Sequence, residues 1–158
     1  MERLIIIIFY LVCISSFSHI QAQHNKNHHA ISDFCSDTII CKEYSLSIKV
    51  PVVSYKHKCY YQYDEGFYML YPYQDSAYLF IHKGYNVLRP FCDTNKIKST
   101  FENDTLKHYY GIHNNLFFNE IYYKERRLTI SFVNVRKEDV LLFDNIIQSL
   151  NFFTKDNE

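Results

Sequence analysis

Two adjacent carboxylates, Asp64 and Glu65, are residues whose types could do chemistry. A pair of carboxylates hydrolyses a glycosidic bond when the two groups are held at a suitable separation, and a histidine such as His57 or His82 could act as a base. Neighbouring residues of a strand or turn point in different directions, however, and these acids also suit a solvated turn. A small hydrolase that uses Asp64 or Glu65 with a histidine is therefore an alternative hypothesis.

Motifs that position a nucleophile or bind a nucleotide are missing from the sequence. There is no G-x-S-x-G elbow, and three glycines in 158 residues leave no phosphate-binding loop. The histidines, which include His108 and His113, lack H-E-x-x-H spacing, so we interpret them as surface or strand-end residues. The sequence therefore predicts a non-enzymatic protein with no cofactor and no metal.

A polar leader carries the one histidine-rich tract, with His24, His28 and His29. Such tracts can bind transition metals. A flexible tract loses conformational entropy when it is ordered, so metal binding there would be weak and unselective. A metal-binding protein of the cell envelope is the second alternative hypothesis.

The first residues, 1–22, have the pattern of a secretory signal peptide. Arg3 gives a basic start, Leu4–Val12 is an apolar run, and Ala22 ends a peptidase-like site. The apolar run is too short to span a hydrocarbon layer of about 30 Å, so no retained transmembrane segment is expected. We predict export to the periplasm or the extracellular space, with lipidation at Cys13 of an outer-envelope lipoprotein as the alternative.

Four cysteines remain after removal of the signal: Cys35, Cys41, Cys59 and Cys92. An even number in an exported chain indicates disulfide bonds. More than one pairing is possible, and local spacing favours Cys35 with Cys41, which leaves Cys59 with Cys92. The second bridge would contribute roughly 3–4 kcal/mol. The cysteines lack the C-x2-C pairs of zinc sites.

The chain has 17 basic and 17 acidic residues, so its formal net charge is zero. Nothing electrostatic attracts it to nucleic acid or to an anionic membrane. Its length after signal removal suits one domain. We predict a polar leader and short cysteine-bearing segment over 23–42 and a single α+β domain over 43–153.

Alternation of apolar and polar residues predicts most of the strands. Tyr44–Val50 alternates clearly and is stopped by Pro51. Residues 85–105 show little periodicity and are predicted to form a short strand at Asn86–Leu88 and then a long loop that includes Cys92. Six further strands are predicted at Lys58–Tyr63, Phe67–Tyr71, Ala77–His82, Leu106–Ile112, Leu116–Tyr123 and Arg127–Val135.

The last periodic segment, Lys137–Leu150, is predicted to be an amphipathic helix, with Val140, Phe143 and Ile147 on its apolar stripe. A helix that follows a run of strands buries its stripe against a sheet. We therefore predict an α+β fold: an antiparallel meander of about six to seven strands with the C-terminal helix packed on one face.

The end of the chain also resembles known proteins. The residues NVRKEDV (134–140), FD (143–144) and IQSLNF (147–152) resemble small exported bacterial proteins of unknown function. They are similar to the last strand and helix of PsbP-like domains, whose antiparallel sheet packs against terminal helices. The resemblance covers the last third of the chain and implies a binding or assembly module. It assigns no functional residue.

Tyrosine is the strongest compositional anomaly, with fifteen in the chain and eight of them between Tyr55 and Gly84. Tyr61 and Tyr63 share one side of their predicted strand, and Tyr71 and Tyr73 share a side of the next. Tyrosines are common on half-exposed sheet faces and at binding interfaces. The favoured hypothesis is an aromatic sheet face that, with the 85–105 loop, binds a protein or glycan partner of the envelope.

Overall fold

The structure, a computed structural model, describes residues 33–63, 66–84 and 96–154. This part of the chain is mostly β. The strands are β1 Phe34–Ile40, β2 Tyr44–Pro51, β3 Cys59–Tyr63, β4 Gly66–Pro72, β5 Tyr78–Lys83, β6 Ile97–Glu102, β7 Leu106–His113, β8 Leu116–Tyr123, β9 Leu128–Val135 and β10 Asn151–Thr154. The α-helices are α1 Val52–Lys56 and α2 Val140–Gln148.

The main sheet has seven antiparallel strands in the order β3-β4-β5-β9-β8-β7-β6. The prediction of an antiparallel sheet of about six to seven strands with a C-terminal helix is thus confirmed in outline. The predicted meander is wrong in its order, because the neighbour of β5 is β9 and not the next predicted strand along the chain. Burial explains this arrangement: β9 is buried at almost every position and occupies the centre of the sheet, whereas β6 is mostly exposed and lies at an edge.

The predicted loop over 85–105 is partly wrong, because strand β6 lies within it. Ile97–Glu102 is a strand paired with β7, and residues 85–95 lie outside the described part of the chain. The sequence IKSTFE has one half-buried residue and five exposed ones, so it lacks the alternation of a half-buried strand. Its main-chain pairing with β7 forms the strand in spite of that pattern.

A second sheet has three antiparallel strands in the order β1-β2-β10. The predicted strand at Tyr44–Val50 is confirmed as the central strand, β2. Its neighbours were not predicted: β1 lies within the segment 23–42, and β10 follows the helix. We call the face of the seven-stranded sheet that packs against this small sheet and α2 the inner face, and the opposite face the outer face.

Helix α2 covers part of the inner face. It is an α-helix over Val140–Gln148, preceded by a 3-10 turn at Lys137–Asp139, and is thus shorter than predicted. Phe143, Ile146 and Ile147 are buried in the main core, while Leu141 is 70% exposed. Each fully buried side chain of this size stabilises the fold by about 1.5–3 kcal/mol.

Candidate functional site

The four tyrosines predicted to bind a partner do not come together on one face. Tyr71 and Tyr73 belong to the main core on the inner face, as do Phe67 and Met69 on the same strand side. Tyr61 and Tyr63 pack against Tyr68 and its neighbours on the outer face. Successive side chains of a strand point to opposite faces, so pairs of tyrosines in β3 and β4 can be separated by the thickness of the sheet.

Tyr71 joins the two sheets. It is 1% exposed, and its hydroxyl donates to Asp37 Oδ2 at 2.7 Å. Lys58 Nζ lies 2.7 Å from the same oxygen and 4.5 Å from the centre of the Tyr55 ring. Burial, together with the hydrogen bond to Asp37, raises the pKa of Tyr71 above its usual range. This cluster ties β1 of the small sheet to β4 and neutralises a buried carboxylate.

Tyr73 holds the C-terminal helix. Its ring meets Phe143 of α2 edge to face, with 5.2 Å between the ring centres. Phe132 of β9 contacts the same phenylalanine from the sheet at 5.4 Å. Tyr73 is therefore an aromatic anchor of the core, where edge-to-face pairs contribute about 0.5–1.5 kcal/mol beyond their buried area.

Tyr63 makes the most specific polar contact on the outer face. Its Oη atom lies 2.9 Å from His82 Nε2 and 2.9 Å from the main-chain carbonyl oxygen of Lys83. A carbonyl oxygen only accepts, so the hydroxyl donates to Lys83 and must accept the Nε2 proton of His82. The contact therefore selects the neutral Nε2–H tautomer, with a lone pair on Nδ1.

The His82 ring is packed inside a stack of aromatic rings. It lies 4.6 Å from the centre of the Tyr68 ring at an interplanar angle of 11°, and Phe80 also stacks on it. The histidine is near the end of β5, as predicted, but it is 1% exposed and not a surface residue. Burial lowers the pKa of His82 to about 4, so the ring is neutral at neutral pH.

Chemistry at His82 is limited by its surroundings. A neutral imidazole with a lone pair on Nδ1 can act as a base or as a metal ligand. Nδ1 has no hydrogen-bond partner among the described residues, and neither has Oγ1 of Thr129, which pairs with His82. The ring is closed to substrate, and no group of three metal-binding side chains occurs in the described ranges. The geometry therefore supports a structural histidine.

Two of the three glycines in the chain allow this close packing. A Cβ atom on Gly66 would overlap the carbonyl oxygen of Lys83, and one on Gly84 would overlap the hydroxyl of Tyr63. The sequence therefore contained a signal for the contact between Tyr63 and His82: one glycine begins β4 and another directly follows β5. The partners lie on different strands, and the pattern of a single strand does not show such a contact.

Several predicted site residues cannot be compared with the structure. They lie outside the described residues: Cys13, His24, His28, His29, Asp64, Glu65 and Cys92. The hydrolase and the metal-binding hypotheses stay predictions. Of the other histidines, His57 and His113 are exposed, and His108 Nε2 lies 2.6 Å from Asn119 Oδ1.

The structure does not place Cys35 and Cys41, a predicted disulfide pair, within bonding distance of each other. Cys35 is near the start of β1 and Cys41 directly follows its last residue, Ile40. Six residues of extended strand span roughly 20 Å. A disulfide needs Cα atoms within about 7 Å of each other, so the strand itself keeps these two cysteines apart. The pairing of Cys59 with Cys92 stays a prediction.

The edges of the two sheets differ in how they are protected against further pairing. Strand β6 has charged residues at Lys98 and Glu102 and a register shift between Ile97 and Ser99. Strand β1 has the inward-facing Asp37, and β10 is only four residues long. These are the usual devices that protect a sheet edge. Strand β3, CYYQY, has no charge, no proline and no register shift.

The outward main-chain groups of β3 belong to Tyr60 and Gln62. Tyr63 pairs with Gly66 across a two-residue connection, and such flanking residues are hydrogen bonded to each other. Along β3, residues that are hydrogen bonded to β4 then alternate with residues that are not. The N–H and C=O groups of Tyr60 and Gln62 therefore point away from β4. Within the described ranges β4 is the only neighbour of β3. Tyr60 is 49% exposed, and Gln62 is exposed as well.

Comparison of the chain with protein-family models, with curated proteins and with solved structures gave no match. The resemblance to PsbP-like domains stays a prediction. Among the described residues, no helix combines the length and the apolar character needed to cross a bilayer.

Proposed function

We propose that this chain is an exported, non-enzymatic binding protein whose edge strand β3 takes up an extended segment of a partner protein as an added strand. The observation that carries the proposal is the uncharged and unshifted edge at Cys59–Tyr63, with Tyr60 and Gln62 exposed. Partners commonly bind a sheet edge in this way, where main-chain hydrogen bonds give affinity and side-chain pockets give specificity.

A protein partner fits this surface better than a glycan. Sugar rings stack on exposed aromatic faces, whereas Tyr71 is 1% exposed and Tyr73 packs on α2. Tyr61 and Tyr63 are half-buried against the outer-face aromatic residues. Main-chain groups of an edge strand are instead complementary to another strand, and each hydrogen bond formed contributes about 0.5–1.5 kcal/mol.

The proposed location is the periplasm or the extracellular space. The basic start and apolar run of residues 1–22, and the even number of cysteines after them, support it. Lipidation at Cys13 is the alternative, and it would place the same binding edge at the membrane surface. The neutral net charge supports a partner other than nucleic acid.

The test is capture from an envelope extract on the immobilised chain that starts at Gln23, with bound proteins identified by mass spectrometry. Gln62→Pro removes an outward N–H that β4 does not use, so the sheet can remain intact. We expect the captured partner to be lost with Gln62→Pro.

The matched control is Lys98→Pro, which places a proline in the irregular part of the opposite edge, β6. This variant should capture the partner like the unmodified chain. Circular dichroism and thermal unfolding check that both proline variants are folded. Equal capture by folded Gln62→Pro would refute a binding role for β3.

A further inference from the structure

We propose that the partner of β3 is a second copy of this chain, an inference that rests on the proposed function and specifies its partner. The two β3 strands pair antiparallel about a twofold axis, which joins the two seven-stranded sheets into one. The argument comes from the register that the outward main-chain groups impose and from the side chains that this register places opposite each other.

The register follows from the alternation of hydrogen bonding along β3. The outward groups of Tyr60 and Gln62 must face outward groups of the second strand to form hydrogen-bonded pairs. The antiparallel register that overlaps all of Cys59–Tyr63 places Tyr60 opposite Gln62 of the second copy, and Gln62 opposite Tyr60. Both outward residues of each strand are then paired, and Tyr61 faces its own copy across the axis.

The side chains of β3 suit this self-pairing. Tyr61 would occupy a non-hydrogen-bonded position, where the Cα atoms are about 4.5 Å apart and side chains are closest. Cross-strand aromatic pairs there contribute about 0.2–1 kcal/mol. Because no residue of Cys59–Tyr63 is charged, the twofold axis brings no like charges together. The central residue of β1 is Asp37, so the same operation on β1 would place two carboxylates opposite each other.

The fold also explains why such pairing would stop at two copies. A twofold interface uses the same edge of both chains and is closed once it forms. Growth would need the far edge of the seven-stranded sheet, where β6 has a register shift and the charged residues Lys98 and Glu102. We therefore infer a discrete dimer and not a fibre.

The test combines a disulfide probe with the mass in solution. In the chain that starts at Gln23, Tyr61→Cys places two thiols within disulfide distance across the axis. Tyr60→Cys is the matched control, because position 60 faces position 62 and not itself. On mild oxidation we expect a covalent dimer for Tyr61→Cys and none for Tyr60→Cys, although Tyr60 is 49% exposed.

Sedimentation gives a second measurement that does not depend on position 61. The unmodified chain should have the mass of two chains, and Gln62→Pro the mass of one. A monomeric unmodified chain, or equal cross-linking of both cysteine variants, overturns the inference. If the chain is monomeric and still captures another protein that Gln62→Pro loses, the second copy is refuted and the proposed function stands. If Gln62→Pro dimerises and captures like the unmodified chain, both fail.

Discussion

Mild acid should destabilise this protein in part through His82. In the folded state its Nε2–H group is held by Tyr63, its ring is stacked on Tyr68, and its exposure is 1%. A second proton would charge a ring that is surrounded by aromatic side chains. Burial therefore lowers the pKa of His82 from 6.5 to about 4.

The sign and size of the effect follow from linkage. Between these two values the unfolded chain binds a proton at His82 and the folded chain does not, so the free energy of unfolding rises with pH. The contribution of His82 to the free energy of unfolding is complete above about pH 6.5 and is lost as pH falls towards 4. At about 1.4 kcal/mol per pH unit, the loss amounts to about 3 kcal/mol.

The assay is urea unfolding of the chain without residues 1–22, at about pH 7.5, 6 and 4. His82→Phe keeps an aromatic ring in the stack and removes the titrating group. Acid also weakens the fold through carboxylates, so the informative quantity is the difference between variants. His82→Phe should lose about 3 kcal/mol less than the unmodified protein between the extremes.

His113→Gln changes an exposed histidine at the end of β7 and is the control. It should show the pH dependence of the unmodified protein. The reasoning about His82 is refuted if His82→Phe, folded at neutral pH, loses as much stability in acid as the unmodified chain.

Three pairs of substitutions test the contacts that hold the fold, and urea unfolding at neutral pH measures each variant. Tyr71→Phe removes the hydroxyl that donates to Asp37 and should cost about 1–2 kcal/mol of stability. Lys58→Met should cost more, because it leaves a buried carboxylate without its cation. Equal losses would contradict this order. Gly84→Ala would displace the Tyr63 hydroxyl and should cost about 1–3 kcal/mol, whereas Gln74→Ala at an exposed turn should change stability little. Phe143→Ala leaves a cavity between α2, Tyr73 and Phe132 and should cost about 3–5 kcal/mol of stability. Leu141→Ala changes an exposed residue of the same helix and is its control. A similar loss for Leu141→Ala would refute the packing of α2.

The strands with regular side-chain alternation were predictable from sequence because one of their faces is buried. Tyr44–Val50 is the clearest case, and its inward residues Leu46, Ile48 and Val50 are completely buried. Strand β6 was not predictable, because an edge strand with five exposed residues has no apolar face to mark it. Strand order was also hidden, since alternation shows which residues point inward and not which strand is the neighbour.

The candidate site was predictable only in part. Tyrosine density pointed to the hairpin of β3 and β4, and the side assignments of Tyr71 and Tyr73 with Phe67 were right. The sequence did not show that Tyr73 would pack against α2, or that β3 would be an edge. Both facts depend on contacts between residues that are far apart in the chain.

The pairing of β2 with β10 places the beginning and the end of the described chain in one small sheet. Leu46 pairs with Phe152, and Tyr78 of β5 pairs with Val133 of β9. The small sheet cannot be completed before β10 is synthesised, and the seven-stranded sheet cannot be completed before β9 is synthesised. Such long-range pairing makes folding slow. During synthesis the two sheets would therefore stay incomplete until β10 and β9 are available, and an unfolded chain is the form that can pass through a narrow translocation pore. A topology that delays folding in this way would suit the export that we propose for this chain.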